Sequence, residues 1–284
     1  MTDESTSACD ANKLTLKAGL KKLKTAAVAF SGGVDSAFLL AVAAESGLEN
    51  LLAVTVESAF VTKQEIRQAR QTAKDLGVAH QVVKLDILSH EQVTANTLAR
   101  CYHCKTVIFS MIRRVADKNG ITHVLHGVNT DDLGDFRPGL KAAEELGVRA
   151  PLVEAGFSKH RIRTCSRQMG LATWDLPSQS CLATRIPFFD VITEKALVRI
   201  DQAEQFLRFL GFFHVRVRCH GTVARIETEA AAIEAMVAHR KQISVALKTI
   251  GFTFVSLDLD GYHTGKMNPS QINAIRTSES IDRR

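Results

Sequence analysis

Four short apolar runs at residues 26–30, 51–56, 81–85 and 123–126, separated by longer amphipathic segments, limit what this chain can become more than any other feature. Runs of that length read as strands, and the segments between them as helices. Near-continuous hydrophobicity in a strand requires both faces to be covered, as in a parallel sheet with crossover helices above and below. The first part of the chain is therefore expected to be a doubly wound α/β domain. One helix start is legible at once: Thr62 and Glu65 have the spacing of a capping box, with Val61 placed to staple against Ile66.

The pattern changes after about Pro187. A helix is expected over 193–210, strands over 215–220 and 223–227, a helix over 229–247 and a strand over 252–259. A chain of 284 residues with 45% hydrophobic content can fill two cores. The expected division is a mobile leader at 1–13, a first domain over 14–187, a smaller C-terminal α+β domain over 188–268 for substrate binding and oligomerisation, and a polar tail at 269–284. Residues 1–13 lack the apolar core of a signal peptide, and no stretch approaches the roughly 18 apolar residues of a membrane span. A cytoplasmic protein follows, and in that reducing compartment the six cysteines are expected as thiols or metal ligands. A formal charge of +6 and a pI near 9.1 point to an anionic partner, which a nucleotide satisfies as well as RNA does.

The sharpest motif is Ser31-Gly32-Gly33-Val34-Asp35-Ser36, set between the first apolar run and a helix beginning near Ala37. Two glycines let the backbone bend so that amide N–H groups approach phosphate oxygens, and the following helix presents its positive end. Ser31 and Ser36 add hydroxyls, and Asp35 offers a carboxylate to Mg2+. The lysine of a GxxxxGK[ST] loop is missing. A second polar segment, Gly127 to Asp135 with Asp131 within it, follows the fourth run and opens at the same sheet edge, where ligands of open α/β sheets bind. Its acids could hold Mg2+ or the substrate, and a solvated turn rich in Asp, Asn and Gly accounts for any single one equally well.

SGGVDS after a first strand resembles the signature of the N-type ATP pyrophosphatases, or PP-loop enzymes. The resemblance implies a doubly wound parallel sheet of the PP-loop ATP pyrophosphatase type over 14–187, with Gly127 and Asp131 beside the nucleotide. It also implies ATP as cosubstrate, split to AMP and pyrophosphate as a substrate oxygen attacks the α-phosphorus. Four further stretches narrow it: GVNTDDLGDFRPGLKAAEELGVRAPL from Gly127, LATWDLPSQSCLATRIP from Leu171, VRVRCHGTVARIE from Val215 and LDLDGYHTGKMN from Leu257. These resemble the LarE-type sulfur transferases of nickel-pincer cofactor synthesis. The implied substrate is a small anionic pyridinium dicarboxylate mononucleotide, one carboxylate of which is adenylated and converted to a thiocarboxylate. A homo-oligomer, no membrane and no nucleic acid are implied with it.

Sulfur chemistry needs cysteine. Cys181 lies between Pro177 and Pro187, close to Arg185, and an adjacent guanidinium favours the thiolate. In relatives the matching cysteine gives up its own sulfur and becomes dehydroalanine. This sequence also carries Cys101-Tyr102-His103-Cys104. With Cys181, that pair makes three ligands for a 4Fe-4S cluster with one iron open, as some members of the subfamily have. Zinc, with His103 as a further ligand, and an uncoordinated redox pair are the alternatives for CxxC. Cys9, Cys165 and Cys219 read as structural.

Arg216 and Arg218 alternate on an expected strand and so share a face, a clamp for a substrate phosphate or, more plainly, a solvated strand face. The resemblance places Arg185 and these two at the substrate and offers Glu227 and Asp258, with Asp35, to a divalent ion. Trp174 and Asp175 shape the pocket or anchor its loop. A tRNA thiolase and a non-catalytic adenine-nucleotide sensor are the other functions these motifs allow. With aromatics at only 6%, stacking platforms for RNA are few.

Overall fold

The computed structural model describes residues 3–134, 138–177 and 180–263. The expected tail at 269–284, Asp135 and Ser178 lie outside them. The chain forms two compact units, one of Met1–Val93 with Ala99–Gln179, the other of Thr94–Leu98 with Ser180–Arg284. The expected boundary at 187 thus moves to 179, and five residues from the middle of the chain join the second unit.

The first unit runs α1 (Asp3–Lys21), β1 (Thr25–Ala29), α2 (Val34–Ala44), β2 (Asn50–Glu57), α3 (Lys63–Asp75), β3 (Ala79–Lys84), α4 (Glu91–Thr94), α5 (Arg100–Lys118), β4 (His123–His126), α6 (Pro138–Glu145), α7 (Pro151–Glu154) and α8 (Lys159–Gln168). Its four strands form one parallel sheet in the order β3-β2-β1-β4. From β1 the chain works outward through β2 and β3, then returns to the other side of β1 as β4. The loops leaving β1 and β4 therefore flank the point where strand order reverses, the usual ligand crevice of such sheets.

Helix α2 lies deep in this unit. Of Val34–Ala43, every residue is buried except the half-buried Asp35, so the helix is covered on all sides and carries one carboxylate at its start. Phe38 meets Phe157 edge-on, ring centroids 5.0 Å apart, and each such ring contributes about 2–3 kcal/mol by burial. The capping box of α3 is complete: Glu65 N–H donates to Thr62 Oγ1 at 3.2 Å and Thr62 N–H to Glu65 Oε2 at 2.7 Å.

Two expectations are corrected here. Residues 3–13 belong to helix α1 instead of a mobile leader, because Cys9, Leu16 and Leu20 are buried in the main core. Cys9 is also disulfide-bonded to Cys165 of α8, where thiols or metal ligands were expected; both side chains meet in that core, with Cα atoms 5.9 Å apart.

The second unit runs α9 (Glu194–Phe209), β5 (Val215–His220), β6 (Val223–Thr228), α10 (Ile233–Ala238), α11 (Arg240–Ile250) and β7 (Phe254–Leu257). Strand β6 pairs antiparallel with β5 and parallel with β7. The helix expected over 229–247 is divided at His239, whose ring packs on Phe212. The segment Thr94–Leu98 is stitched into this unit: Asn96, at φ +53°, donates through Nδ2 to Pro187 O at 2.6 Å and Asp190 O at 2.9 Å. In return, its own carbonyl takes the N–H of Phe189 and that of Thr94 takes Ile192 N–H. Among the described residues no helix is long and apolar enough to cross a membrane.

Candidate active site

The SGGVDS loop is built as the sequence requires. Gly32 has φ +75°, and a Cβ there would stand 2.9 Å from the Ala69 Cα of α3, so only glycine fits. Ser31 and Ser36 hold the loop's two ends together with hydroxyls 3.0 Å apart, and the Ser31 hydroxyl also takes the Gly33 N–H at 3.3 Å. Gly127, leaving β4, presses against the same loop: a Cβ on it would lie 2.9 Å from Ser36 N. Ser31, Gly32, Gly33, Asp35, Ser36 and Gly127 thus stand together at the carboxyl edge of the sheet.

Asp131 is nearby in a different capacity. Its N–H donates to Asn129 Oδ1, Asn129 N–H donates to Asp132 Oδ2, and Asp131 Oδ2 accepts the backbone N–H of Lys159 at 2.9 Å. These acids shape their own turn and seat the start of α8. Lys159 then reaches back with its side chain, placing Nζ 2.5 Å from Asp35 Oδ2. Burial pushes the Asp35 carboxyl above its ordinary range, with Lys159 pulling the other way. Sequence reasoning missed Lys159, which is 124 residues from its partner and in no motif.

Cys101 and Cys104 occupy the first turn of α5, three residues apart and so on one helix face, both half-buried and outside any disulfide. The Arg100 guanidinium lies 3.7 Å from Cys101 Sγ, and the His103 ring packs edge-on against Tyr102. Among the described residues no group of three or more His, Cys, Asp or Glu side chains stands together as a metal site. Trp174 is half-buried under the Arg167 guanidinium, 4.9 Å from its ring centroid, and its carbonyl accepts from Arg163.

In the second unit, Cys181 is half-buried at the start of a 3-10 turn, Leu182–Arg185. Arg185, which the resemblance places at the substrate, is engaged within this unit. It is buried, pairs with Glu204 of α9 through Nε at 2.9 Å, and uses Nη1 on the carbonyls of Ser180 (2.6 Å) and Cys181 (3.2 Å). Its role here is to fix the backbone that carries Cys181. Burial pulls the Glu204 carboxyl up, but Arg185, Arg216 and Arg208 outweigh it and hold the group below its ordinary value.

Arg216 and Arg218 do share a face of β5, but that face is buried, so the solvated reading fails. Arg218 is paired with Glu227 at 2.6 Å, while Arg216 donates to Val215 O and lies over the Tyr262 ring. Glu227 and Asp258, which the resemblance offers to a divalent ion, are engaged with guanidinium groups. Glu227 gives one oxygen to Arg218 and the other to Arg225, and Arg225 also reaches Asp258 at 3.4 Å. The guanidinium groups hold the ground a cation would need. Cys219 is buried beside Arg199, and burial raises its thiol.

A parallel sheet with this loop at its reversal point, Gly32 packed on α3, Gly127 packed on the start of α2 and one carboxylate on an otherwise buried helix, defines a PP-loop ATP pyrophosphatase domain. A family model described as queuosine biosynthesis protein QueC matches residues 25–104. The pyridinium-3,5-bisthiocarboxylic acid mononucleotide synthase of Lactiplantibacillus plantarum is 37% identical over 263 residues, 92% of this chain and 95% of its own length. This chain belongs to that synthase family. An uncharacterized protein of Synechocystis sp. is 39% identical over 249 residues, 87% of this chain and 93% of its own. A tRNA-specific 2-thiouridylase, MnmA of Rickettsia africae, is 27% identical over 195 residues, 55% of this chain and 53% of its own.

Proposed function

We propose that this protein is a cytoplasmic, homo-oligomeric ATP-dependent sulfur transferase acting on pyridinium-3,5-biscarboxylic acid mononucleotide in nickel-pincer cofactor synthesis. The observation that carries the reading is the assembled SGGVDS loop in a chain related over 92% of its length to a synthase named for the thiocarboxylate product. The likeness to the tRNA thiouridylase spans about half of each protein, 55% and 53%, so it supports the thiolase reading less than the synthase match supports this one.

A substrate carboxylate oxygen bonds to the α-phosphorus of ATP, and the bond to the bridging oxygen breaks to release pyrophosphate. Backbone amides of Gly32 and Gly33, the Ser31 and Ser36 hydroxyls and the start of α2 grip the leaving phosphates. A sulfur nucleophile then attacks the acyl carbon and expels AMP. If Cys181 itself attacks, loss of its α-proton breaks the Cβ–Sγ bond, leaving a thiocarboxylate and dehydroalanine. Arg185 supports this step by holding the Ser180 and Cys181 carbonyls in place.

Asp35 fits Mg2+: its Oδ1 is buried with no hydrogen-bond partner among the described residues. Cys101 and Cys104, on one face and both partly exposed, fit two positions of a 4Fe-4S cluster. Such a cluster, when bound, supplies sulfide in place of the cysteine's own sulfur. Arg216 and Arg218 serve the substrate phosphate only if their present partners yield.

The test is pyrophosphate release with ATP and the dicarboxylate mononucleotide, with product mass and intact protein mass read in the same sample. Substrate-dependent pyrophosphate and a thiocarboxylate product are expected. An unchanged protein mass with iron present assigns the sulfur to a cluster, and loss of one hydrogen sulfide assigns it to Cys181. ATP binding without pyrophosphate release would make the protein a nucleotide sensor.

A further inference from the structure

Thr55 of β2 links two side chains that no motif brings together. It is buried, and its single hydroxyl proton goes to the Phe30 carbonyl oxygen at 2.6 Å, because a carbonyl can only accept. Its Oγ1 also lies 2.8 Å from Nε2 of His80 on β3. With the hydroxyl proton committed, the ring nitrogen has to be the donor of that second bond. Burial and the Arg70 charge hold His80 below its ordinary value, so the ring is neutral and carries one N–H. That N–H is placed on Nε2, and Nδ1 is bare. Strand register sets the contact up: His80 stands opposite Ala53, which shares a face of β2 with Thr55. The ring also meets Phe30 edge-on, with centroids 5.7 Å apart.

The line of donors ends in the phosphate loop. Phe30 O and Ser31 N–H belong to one rigid peptide plane, so fixing the first aims the second. Ser31 N–H donates to Ser36 Oγ at 3.3 Å, and that hydroxyl lies 3.2 Å from Gly33 O. Hydrogen bonds thus run from β3, the outermost strand, through β2 into both ends of Ser31–Ser36. Bonds in such a line polarise one another, so loss of the outer member is felt at the inner end. We propose that His80 is a positioning residue of the loop, setting through Thr55 the tilt of the Phe30–Ser31 peptide and the aim of the loop's amides at the leaving pyrophosphate. Its action is indirect, through two intervening groups. This rests on the adenylation reaction proposed above.

Two measurements on the full-length protein test it. The first is the nitrogen NMR signature of the His80 ring, identified by its loss in His80→Gln. Nε2 is expected to carry the proton in the wild type, and Thr55→Val to release the ring into a mixture of tautomers. A wild-type ring protonated on Nδ1 reverses the bond to Thr55 and overturns the proposal. The second is pyrophosphate release with ATP and the dicarboxylate mononucleotide. Loss of one neutral hydrogen bond corresponds to roughly 2- to 13-fold, so His80→Leu and Thr55→Val are each expected to lower kcat by that factor. KM for ATP is expected to stay within about twofold, since the interaction lost is one that counts in the transition state. Thr55→Ser and His80→Gln, which keep a hydroxyl and an N–H, are expected to recover most of the rate. Adding His80→Leu to Thr55→Val should cost nothing more, because the line is already cut. A further drop equal to that of His80→Leu alone would make the ring mere filling for the core and overturn the proposal, as would a wild-type rate in Thr55→Val. Where His80→Leu does not fold, Thr55→Val against Thr55→Ser and the ring's tautomer decide the matter. Failure of the wild-type protein to release pyrophosphate would sink the adenylation reading instead, a result distinct from the tautomer.

Discussion

Replacing Gly127 with alanine tests whether the two loops of the cleft function as one assembly. The new Cβ would meet Ser36 N at 2.9 Å and both the Asp35 carbonyl carbon and Ser36 Cα at 3.1 Å, whereas ordinary contact begins at 3.4 Å. All three atoms are backbone at the start of α2, so no side chain can swing aside; the loop itself must retreat by about 0.5 Å. Overpacking of that kind costs about 1–3 kcal/mol, a fall in Tm of roughly 2–10 °C in the first unit. The larger effect is on rate. Misplacing a reacting group by about 1 Å costs roughly 100-fold, so half that displacement predicts about a tenfold drop in the rate of pyrophosphate release. A coupled pyrophosphate assay beside thermal unfolding reads both. Gly134→Ala is the control, since a Cβ there meets nothing within 4 Å, and it should be silent. Wild-type rate and Tm in Gly127→Ala would refute the argument, and equal damage from Gly134→Ala would show that the contact is not its cause.

Burial, with the Lys105 charge adding to it, pulls His126 from 6.5 down to about 4. The depressed value gives stability that is full above about pH 6.5 and is lost as pH falls through about 4, up to about 3 kcal/mol in all. Denaturant curves from pH 7.5 to 4 should show this loss, and His126→Gln should flatten it; an equally steep fall in the variant would exclude this histidine. Since burial raises Asp35 above its ordinary value, its ionised form costs stability, so Asp35→Asn should keep or raise Tm while abolishing pyrophosphate release. A lower Tm would show that the Lys159 pair outweighs the burial. Glu204→Ala leaves Arg185 buried without its carboxylate and should cost about 3–5 kcal/mol by denaturation, a loss below about 1 kcal/mol being the contrary result. Cys181→Ala should release pyrophosphate at the wild-type rate and form no thiocarboxylate; product from that variant would place the sulfur chemistry on another residue.

What could be read from the sequence was what physics makes local. Strands buried on both faces announce a parallel sheet through their composition, and β1 to β4 lie where the apolar runs do, with Gln81–Leu85 displaced by one or two residues. The capping box of α3 and the glycine bend at Ser31–Ser36 are likewise matters of a few adjacent residues. The partners of charged groups were not legible, because tertiary packing chooses them. Nothing near Arg218 or Arg185 in the chain signals that Glu227 and Glu204 will neutralise them inside a buried layer. The same holds for Lys159 with Asp35 and for Cys9 with Cys165, each pair joined across more than a hundred residues. A substrate role is thus what the sequence suggests for Arg185 and Arg218, whose donors the fold turns onto carboxylates and carbonyls.

Asn96 has a consequence for how this protein could be cut or recombined. Because Thr94–Leu98 supplies the carbonyls and the amide that tie down residues 187–192, the smaller unit is not a continuous stretch of polypeptide. On the ribosome those five residues emerge some ninety positions before the turn they secure, so the second unit must wait for the chain to come back to a strut already in place. A fragment begun at Ser180 would lack that strut, and exchanging the C-terminal half with a relative's would pair one protein's Asn96 hook with another's turn. The two units are thus expected to be inherited and lost together, as a matter of chain threading as much as of chemistry.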